Sequence, residues 1–119
     1  MLKTVVLGAS SNHTKFSYKC IKSLIRHGFD AVPVGKKEGQ IEGIDILTGQ
    51  PEIEDVHTIS LYLNASKQEE YYDYILSLNP KRVIFNPGAH NQDFIDRVKE
   101  QGIEVKSDCA LLMLNSGSY

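Results

Sequence analysis

Continuous apolar runs alternate along this chain with stretches in which apolar residues recur every three or four positions. The first run is Leu2–Leu7. Its Val5-Val6-Leu7 segment has no polar alternation, which predicts a strand covered on both faces. Small residues from Gly8 to Asn12 form a turn, and a helix follows over roughly Lys15–His27. Phe16, Cys20, Ile21, Leu24 and Ile25 fall on one helical stripe, with Lys19, Lys22, Ser23 and Arg26 off it. Arg26 and His27 suit the negative end of that helix, and Gly28 suits its exit. Phe29–Val34 is the second strand. Residues 35–53 show no helical period and hold Gly35, Gly39, Gly43, Gly49 and Pro51. They read as a long connection with one short strand near Ile44–Leu47, and so long a connection in a small domain often has a function.

The alternation continues to the end. Thr58–Leu63 is a third strand. Ser66 opens the next helix, with Glu69 three residues on as a capping box, and Tyr71, Tyr74, Ile75 and Leu78 as the buried stripe. Asn79-Pro80 ends it. Arg82–Phe85 is a fourth strand, followed by the turn Asn86-Pro87-Gly88. Asn91 caps a helix that buries Phe94, Ile95 and Val98; Gly102 closes it, and Ile103–Val105 is a short fifth strand. Asp108 caps a last helix through Leu114, and Asn115–Tyr119 is a tail. Strands separated by helices imply parallel pairing with right-handed crossovers. The expected architecture is a three-layer α/β Rossmann-like fold: an open parallel five-stranded sheet, order 3-2-1-4-5, with helices on both faces. That order opens a crevice at the carboxyl ends of the first and fourth strands, between Gly8–Asn12 and Asn86–His90.

Composition narrows the function classes. The 119 residues carry 13 Lys+Arg against 15 Asp+Glu, a net charge of −2. A single domain over residues 1–119 is expected. No basic excess points to a nucleic-acid backbone. The longest apolar runs, such as Ala110–Leu114, are far too short to span a bilayer, and the N-terminal run leads into a glycine turn unlike a signal peptide. Two cysteines without framework spacing suggest a reducing, cytoplasmic setting.

The first turn carries the clearest chemistry. Gly8 permits a tight turn, Ser10 and Ser11 let backbone amides approach a ligand, and the helix that follows adds partial positive charge; a phosphate or diphosphate suits that place. The dinucleotide pattern G-x-G-x-x-G is broken, because Gly8, Ser10 and His13 fall on its three glycine positions. The alternative is an ordinary β-α turn. After the second strand, Val34-Gly35-Lys36-Lys37 puts lysines where an NAD site has an acid. Lysines there suit a phosphate on an adenosine ribose, as in NADP or coenzyme A, or they are simply solvated. Lys15 is a poor residue for the helix dipole but a useful one beside a diphosphate. Ser17 is either a helix cap or a ligand contact, and Tyr18 either packs on the sheet or reaches the site. Asn86-Pro87-Gly88 is a rigid turn with or without a ligand role. His13 and His90 fall on crevice loops. No spacing supports a metal site or a nucleophile elbow, and Cys109 reads as a buried structural thiol.

These segments together resemble a known family. Lys3–Asn12, Pro33-Val34 with Ile41-Glu42-Gly43, Phe85-Asn86-Pro87-Gly88 with Asn91, and Asp108–Leu114 look like the small stand-alone CoA-binding proteins. Those are similar to the CoA-binding domain of the succinyl-CoA synthetase α subunit. The resemblance covers nearly the whole chain and implies coenzyme A, or an acyl-CoA, as ligand. It implies that Gly8, Ser10, Ser11 and Asn12 hold the diphosphate region, with Lys15 at the start of the helix; Ala9, Ser17 and Tyr18 are the further candidate contacts beside them. Val34 and the loop after it would line the adenosine pocket. Asn64 would form a wall, and Asn86, Pro87 and Gly88 would complete the cleft. His13 stands where the family often has proline, and Gly35-Lys36 replaces a usual Asn-Pro; Lys36 and Lys37 compensate if they meet the 3′-phosphate. The synthetase's phosphohistidine belongs to a later domain, so the expectation is a non-enzymatic CoA-binding protein, with a protein partner or homo-oligomer open. An NADP(H)-binding enzyme or redox sensor is the alternative.

Overall fold

Side chains that alternate along the central strands feed two separate cores, one on each face of a single sheet. In the computed structural model, which describes residues 2–119, the chain runs β1 (Lys3–Ala9), α1 (Phe16–Arg26), β2 (Asp30–Gly35), β3 (Gln40–Ile41), β4 (Ile44–Asp45), β5 (Leu47–Thr48) and β6 (Thr58–Leu61). It continues through α2 (Ala65–Gln68), a 3₁₀ turn (Glu69–Tyr71), α3 (Tyr72–Ser77), β7 (Arg82–Phe85), α4 (Gln92–Glu100), β8 (Glu104–Lys106) and α5 (Ala110–Ser116). Val5, Leu7, Ile59, Leu61, Val83 and Phe85 pack against Ile75 of α3 and Phe94, Ile95 and Val98 of α4. Val6 and Ile84 point the other way, onto Cys20, Ile21 and Leu24 of α1 and Met113 and Leu114 of α5. This period-2 division makes the three layers. No helix among the described residues is long and apolar enough to cross a membrane.

The fold is the expected Rossmann-like one, with a sheet of six strands rather than five, ordered β5-β2-β1-β6-β7-β8 and parallel throughout. The added strand is β5, which pairs Leu47 with Val34 and Thr48 with Gly35. It takes the place outside β2 that the expected order gave to Thr58–Leu63, and β6 lies against β1 instead. Burial explains the exchange. All four β6 residues are buried, as a central strand requires, while both β5 residues are exposed, as an edge tolerates. The order therefore reverses between β1 and β6, and the crevice opens there rather than beside β7.

Three local expectations are corrected. The helix read over 66–78 is broken by the 3₁₀ turn, and Asn64, not Ser66, caps it: the Asn64 side chain accepts from the Lys67 N–H at 3.2 Å. The fully buried Gln68 amide donates to the Leu63 and Ala89 carbonyls, both at 2.7 Å, and ties α2 to the segments that follow β6 and β7. The last helix is capped from the end of β7, by Asn86 Oδ1 accepting the Ala110 N–H at 2.8 Å, rather than by Asp108, which bonds only the Cys109 N–H. The tail is not free: α5 reaches Ser116, and Tyr119 lies against Phe29 and under the Arg82 guanidinium.

Candidate functional site

Two glycines shape the carboxyl end of β1. Gly8 has φ +100°, and the β1–β2 register skips from Leu7–Val34 to Ala9–Gly35 around it. A Cβ at Gly8 would also stand 3.2 Å from Tyr62 Cβ, so both the backbone and the neighbour call for glycine. At Gly35 the constraint is purely steric, because a Cβ would fall 2.2 Å from the Ala9 carbonyl oxygen. The backbone of the next residues is set by their own side chains. Ser10 Oγ accepts from the Asn12 N–H at 3.1 Å, and Asn12 Oδ1 accepts from the Thr14 N–H at 3.0 Å. The turn ends at Lys15, the N-cap of α1. No side chain caps that helix and no acid lies in its first turn. Its N-terminal amides and partial positive charge are thus left without an anionic partner from the chain.

A cavity of about 560 Å³ opens over this turn, within the range of about 300–1,000 Å³ usual for small-molecule sites. Leu7 to Ser11 and Lys15 to Ser17 line one side. Val34 to Glu38 enter from the end of β2, and Tyr62 to Asn64 from the end of β6. Lys67, Glu70 and Tyr71 close it from α2 and the 3₁₀ turn, and Pro87 reaches it from beyond β7. Four lysines therefore meet two glutamates around one opening, in a chain whose overall charge is −2. The ion pairs among the described residues, Lys22–Glu42 and Lys106–Glu104, involve none of the four. Neighbouring cations hold the Lys67 ammonium below its ordinary range, Lys36 most and Lys15 least. The opening is a focused positive site.

The buried groups under the cavity are chemically quiet. Burial drives the Tyr62 phenol far above its usual range, with the Cys20 thiol adding to the effect, and its hydroxyl has no hydrogen-bond partner. Burial likewise raises Cys20, whose sulfur lies 3.9 Å from Ser60 Oγ. Both shifts favour the neutral form of the group.

Residues 3–115 match the model of the family described as CoA binding domain. The chain belongs to that family. No match is found among curated proteins. A crystal structure of a protein described as uncharacterized is 43% identical over 100% of this chain and 98% of that one, with TM-score 0.97. A Thermus thermophilus protein is 20% identical over 99% and 90%, with TM-score 0.85. A dinucleotide-forming acetyl-coenzyme A synthetase from Ca. Korarchaeum cryptofilum, solved with phosphate and ADP, is 15% identical with TM-score 0.69. This chain matches 25% of the synthetase's length, and the similarity is one of fold.

In this CoA binding domain the cavity brings together Gly8, Ala9, Ser10, Ser11, Lys15, Ser17, Val34, Lys36, Lys37, Asn64 and Pro87 from the residues singled out in the sequence. Asn12, Tyr18, Asn86 and Gly88 do not line it. Asn12 shapes the turn from outside. Tyr18 is buried in the core under α1 and stacks on His13 at 4.6 Å. Asn86 is buried, donating to Ser60 Oγ and the Leu61 carbonyl, both at 3.0 Å, while it caps α5. The turn after β7 stands one strand beyond the reversal, so only Pro87 reaches the opening. His13 and His90 are also off the cavity lining, and Cys109 is half-exposed rather than buried. Gly35, in the loop expected to follow Val34 into the pocket, does line the cavity. Sequence reasoning missed Tyr62, Leu63 and Lys67, which carry no local signal and come into view once β6 is placed beside β1 and α2 is placed after it.

Proposed function

We propose that this protein binds coenzyme A, or an acyl-CoA, in the cavity between β1, β2 and β6, and does so as a binding protein without chemistry of its own. The observation that carries this reading is that Lys36, Lys37 and Lys67 line the same cavity as Lys15 at the uncapped start of α1, with no ion pair to any of the four among the described residues. A bound polyanion would satisfy both the lysines and the helix amides. The turn Gly8–Ser11 would take the diphosphate, with Lys15 beside it and Asn12 holding the turn's shape. Val34 and the residues after β2 would take the adenosine. The long apolar and amide-bearing arm of the ligand would pass Tyr62, Leu63 and Asn64.

The test is calorimetric titration of the full chain with CoA and acetyl-CoA, with NADPH as competitor. CoA should bind and NADPH should compete poorly. Ser10→Asp and Ser11→Asp together should reduce CoA affinity at least about tenfold by placing carboxylates at the anion site. Absence of binding at millimolar CoA would overturn the reading.

A further inference from the structure

We propose that Gln68 is a positioning residue for the cavity: its buried amide staples the wall that follows β6 to the segment that follows β7, and so sets how tightly a nucleotide ligand binds without touching it. This rests on the nucleotide reading of the cavity and concerns a residue that lies behind its wall.

The wall has little else to hold it. Residues 62–71 supply Tyr62, Leu63, Asn64, Lys67, Glu70 and Tyr71 to the cavity. Between Leu61 and Tyr74, Gln68 is the only buried residue. Tyr62, Leu63, Tyr71 and Tyr72 are only partly buried against the two cores. The stretch before α3 is a four-residue helix and a three-residue 3₁₀ turn, too short to persist without tertiary contacts. An apolar side chain is the ordinary anchor for such a segment. Here the anchor is an amide, whose hydrogen bonds fix direction as well as depth.

Both amide hydrogens of Gln68 are used. Nε2 donates to the Leu63 carbonyl, at the near end of the wall, and to the Ala89 carbonyl beyond β7, both at 2.7 Å. Gln68 Oε1 accepts from Asn91 Nδ2 at 3.1 Å. Asn91 Nδ2 also donates to the Tyr72 hydroxyl at 2.7 Å, and Asn91 Oδ1 accepts the Phe94 N–H at 3.3 Å, which anchors the network to α4. The bonds thus run from Leu63 through Gln68 and Asn91 to Tyr72 and bracket the wall at both ends. The Tyr72 ring is itself stacked on Phe94 at 4.2 Å. None of Gln68, Tyr72, Ala89 and Asn91 lines the cavity. With the staple in place the wall is formed before a ligand arrives. Without it, apparent affinity falls in proportion to the fraction of molecules whose wall is formed.

Gln68→Met keeps the length of the side chain and removes all three of its bonds. Amide hydrogen exchange in the free full chain should then quicken across residues 65–72 and stay unchanged in β1 and β7. Calorimetric titration with CoA should show affinity about tenfold weaker, as for a wall formed about one time in ten, and saturating CoA should restore slow exchange to residues 65–72. Tyr72→Phe removes only the last bond of the network and should shift affinity the same way by about threefold; it carries the test if Gln68→Met does not fold. Ile103→Ala, in the core beyond the end of α4, separates positioning from stability. It should lower the melting temperature at least as far as Gln68→Met and leave CoA affinity within about twofold of the parent's. Unchanged exchange in residues 65–72 of Gln68→Met, unchanged CoA affinity, or an equal loss of affinity in Ile103→Ala would each overturn the positioning role while leaving the nucleotide reading intact. Failure of the parent to bind CoA would instead overturn the nucleotide reading, and the positioning role with it.

Discussion

Gly35→Ala is a sharp test of how the cavity is built, because the added group is one methyl and its surroundings are known. The new Cβ would fall 2.2 Å from the Ala9 carbonyl oxygen, 3.1 Å from the Ala9 carbonyl carbon and 3.3 Å from Ile46 Cγ2. The first contact is about 1 Å inside ordinary packing distance. Main chain cannot rotate away as a flexible side chain does, so β1 and β2 must part, or the Ala9 peptide must turn. Overpacking of a well-filled site costs about 1–3 kcal/mol, and a backbone obstacle places this change at the upper end. At about 4 °C per kcal/mol for a domain of this size, the melting temperature should fall by about 8–12 °C. The same displacement moves the amides that follow Ala9, so CoA affinity should fall as well. Gly39→Ala is the control. Its nearest neighbours, in Ser11, stand at 3.4 Å, and a compatible Gly→Ala change is neutral or stabilising by up to about 1 kcal/mol. Calorimetric melts of the three proteins, with CoA titrations beside them, measure both effects. A Gly35→Ala protein that melts within about 2 °C of the parent and binds CoA normally would refute the steric account of this turn.

Other consequences are equally direct. Asn86→Ala leaves the Leu61 carbonyl and the Ala110 N–H without their side-chain partner, so urea unfolding should show a loss of about 2–4 kcal/mol. Burial, with Arg82 and Lys81 nearby, holds His57 below its ordinary value of 6.5. The unfolded chain then takes up a proton that the folded chain refuses as pH falls below 6.5. Stability should therefore decline from pH 6.5 down to the folded His57 pKa, and His57→Gln should flatten that part of the profile. Thiol labelling of the native protein should modify half-exposed Cys109 readily and Cys20 only on unfolding, since Cys20 is fully buried and its thiolate is disfavoured. Rapid native labelling of both would contradict the packing of α1 on the sheet.

Most of the fold is legible in the sequence because its strands and helices obey simple periods. Val5-Val6-Leu7, Arg82–Phe85 and the stripe Cys20-Ile21-Leu24 mark their elements without help from neighbours. Strand order was less accessible, since β5 is two residues long and exposed, and nothing local says that Leu47-Thr48 rather than Thr58–Leu61 flanks β2. The site divides the same way. Gly8, Ser10 and Ser11 announce themselves by following the first strand. Asn86 reads from the sequence as a cleft residue because it sits in a turn at a strand end; its side-chain amide bonds Ser60, Leu61 and Ala110, partners that no local pattern announces. Lys67 is not legible as a cavity residue because its place depends on how α2 is held, through hydrogen bonds of Gln68 to Ala89 and Asn91 far along the chain.

The most direct measurement is a crystal structure of the full chain with coenzyme A. The expected density fills the cavity, with the diphosphate within hydrogen-bond distance of main-chain nitrogens between Gly8 and Ser17 and the adenosine beside Val34. Coenzyme A bound elsewhere on the molecule, with this cavity left to solvent, would contradict the account.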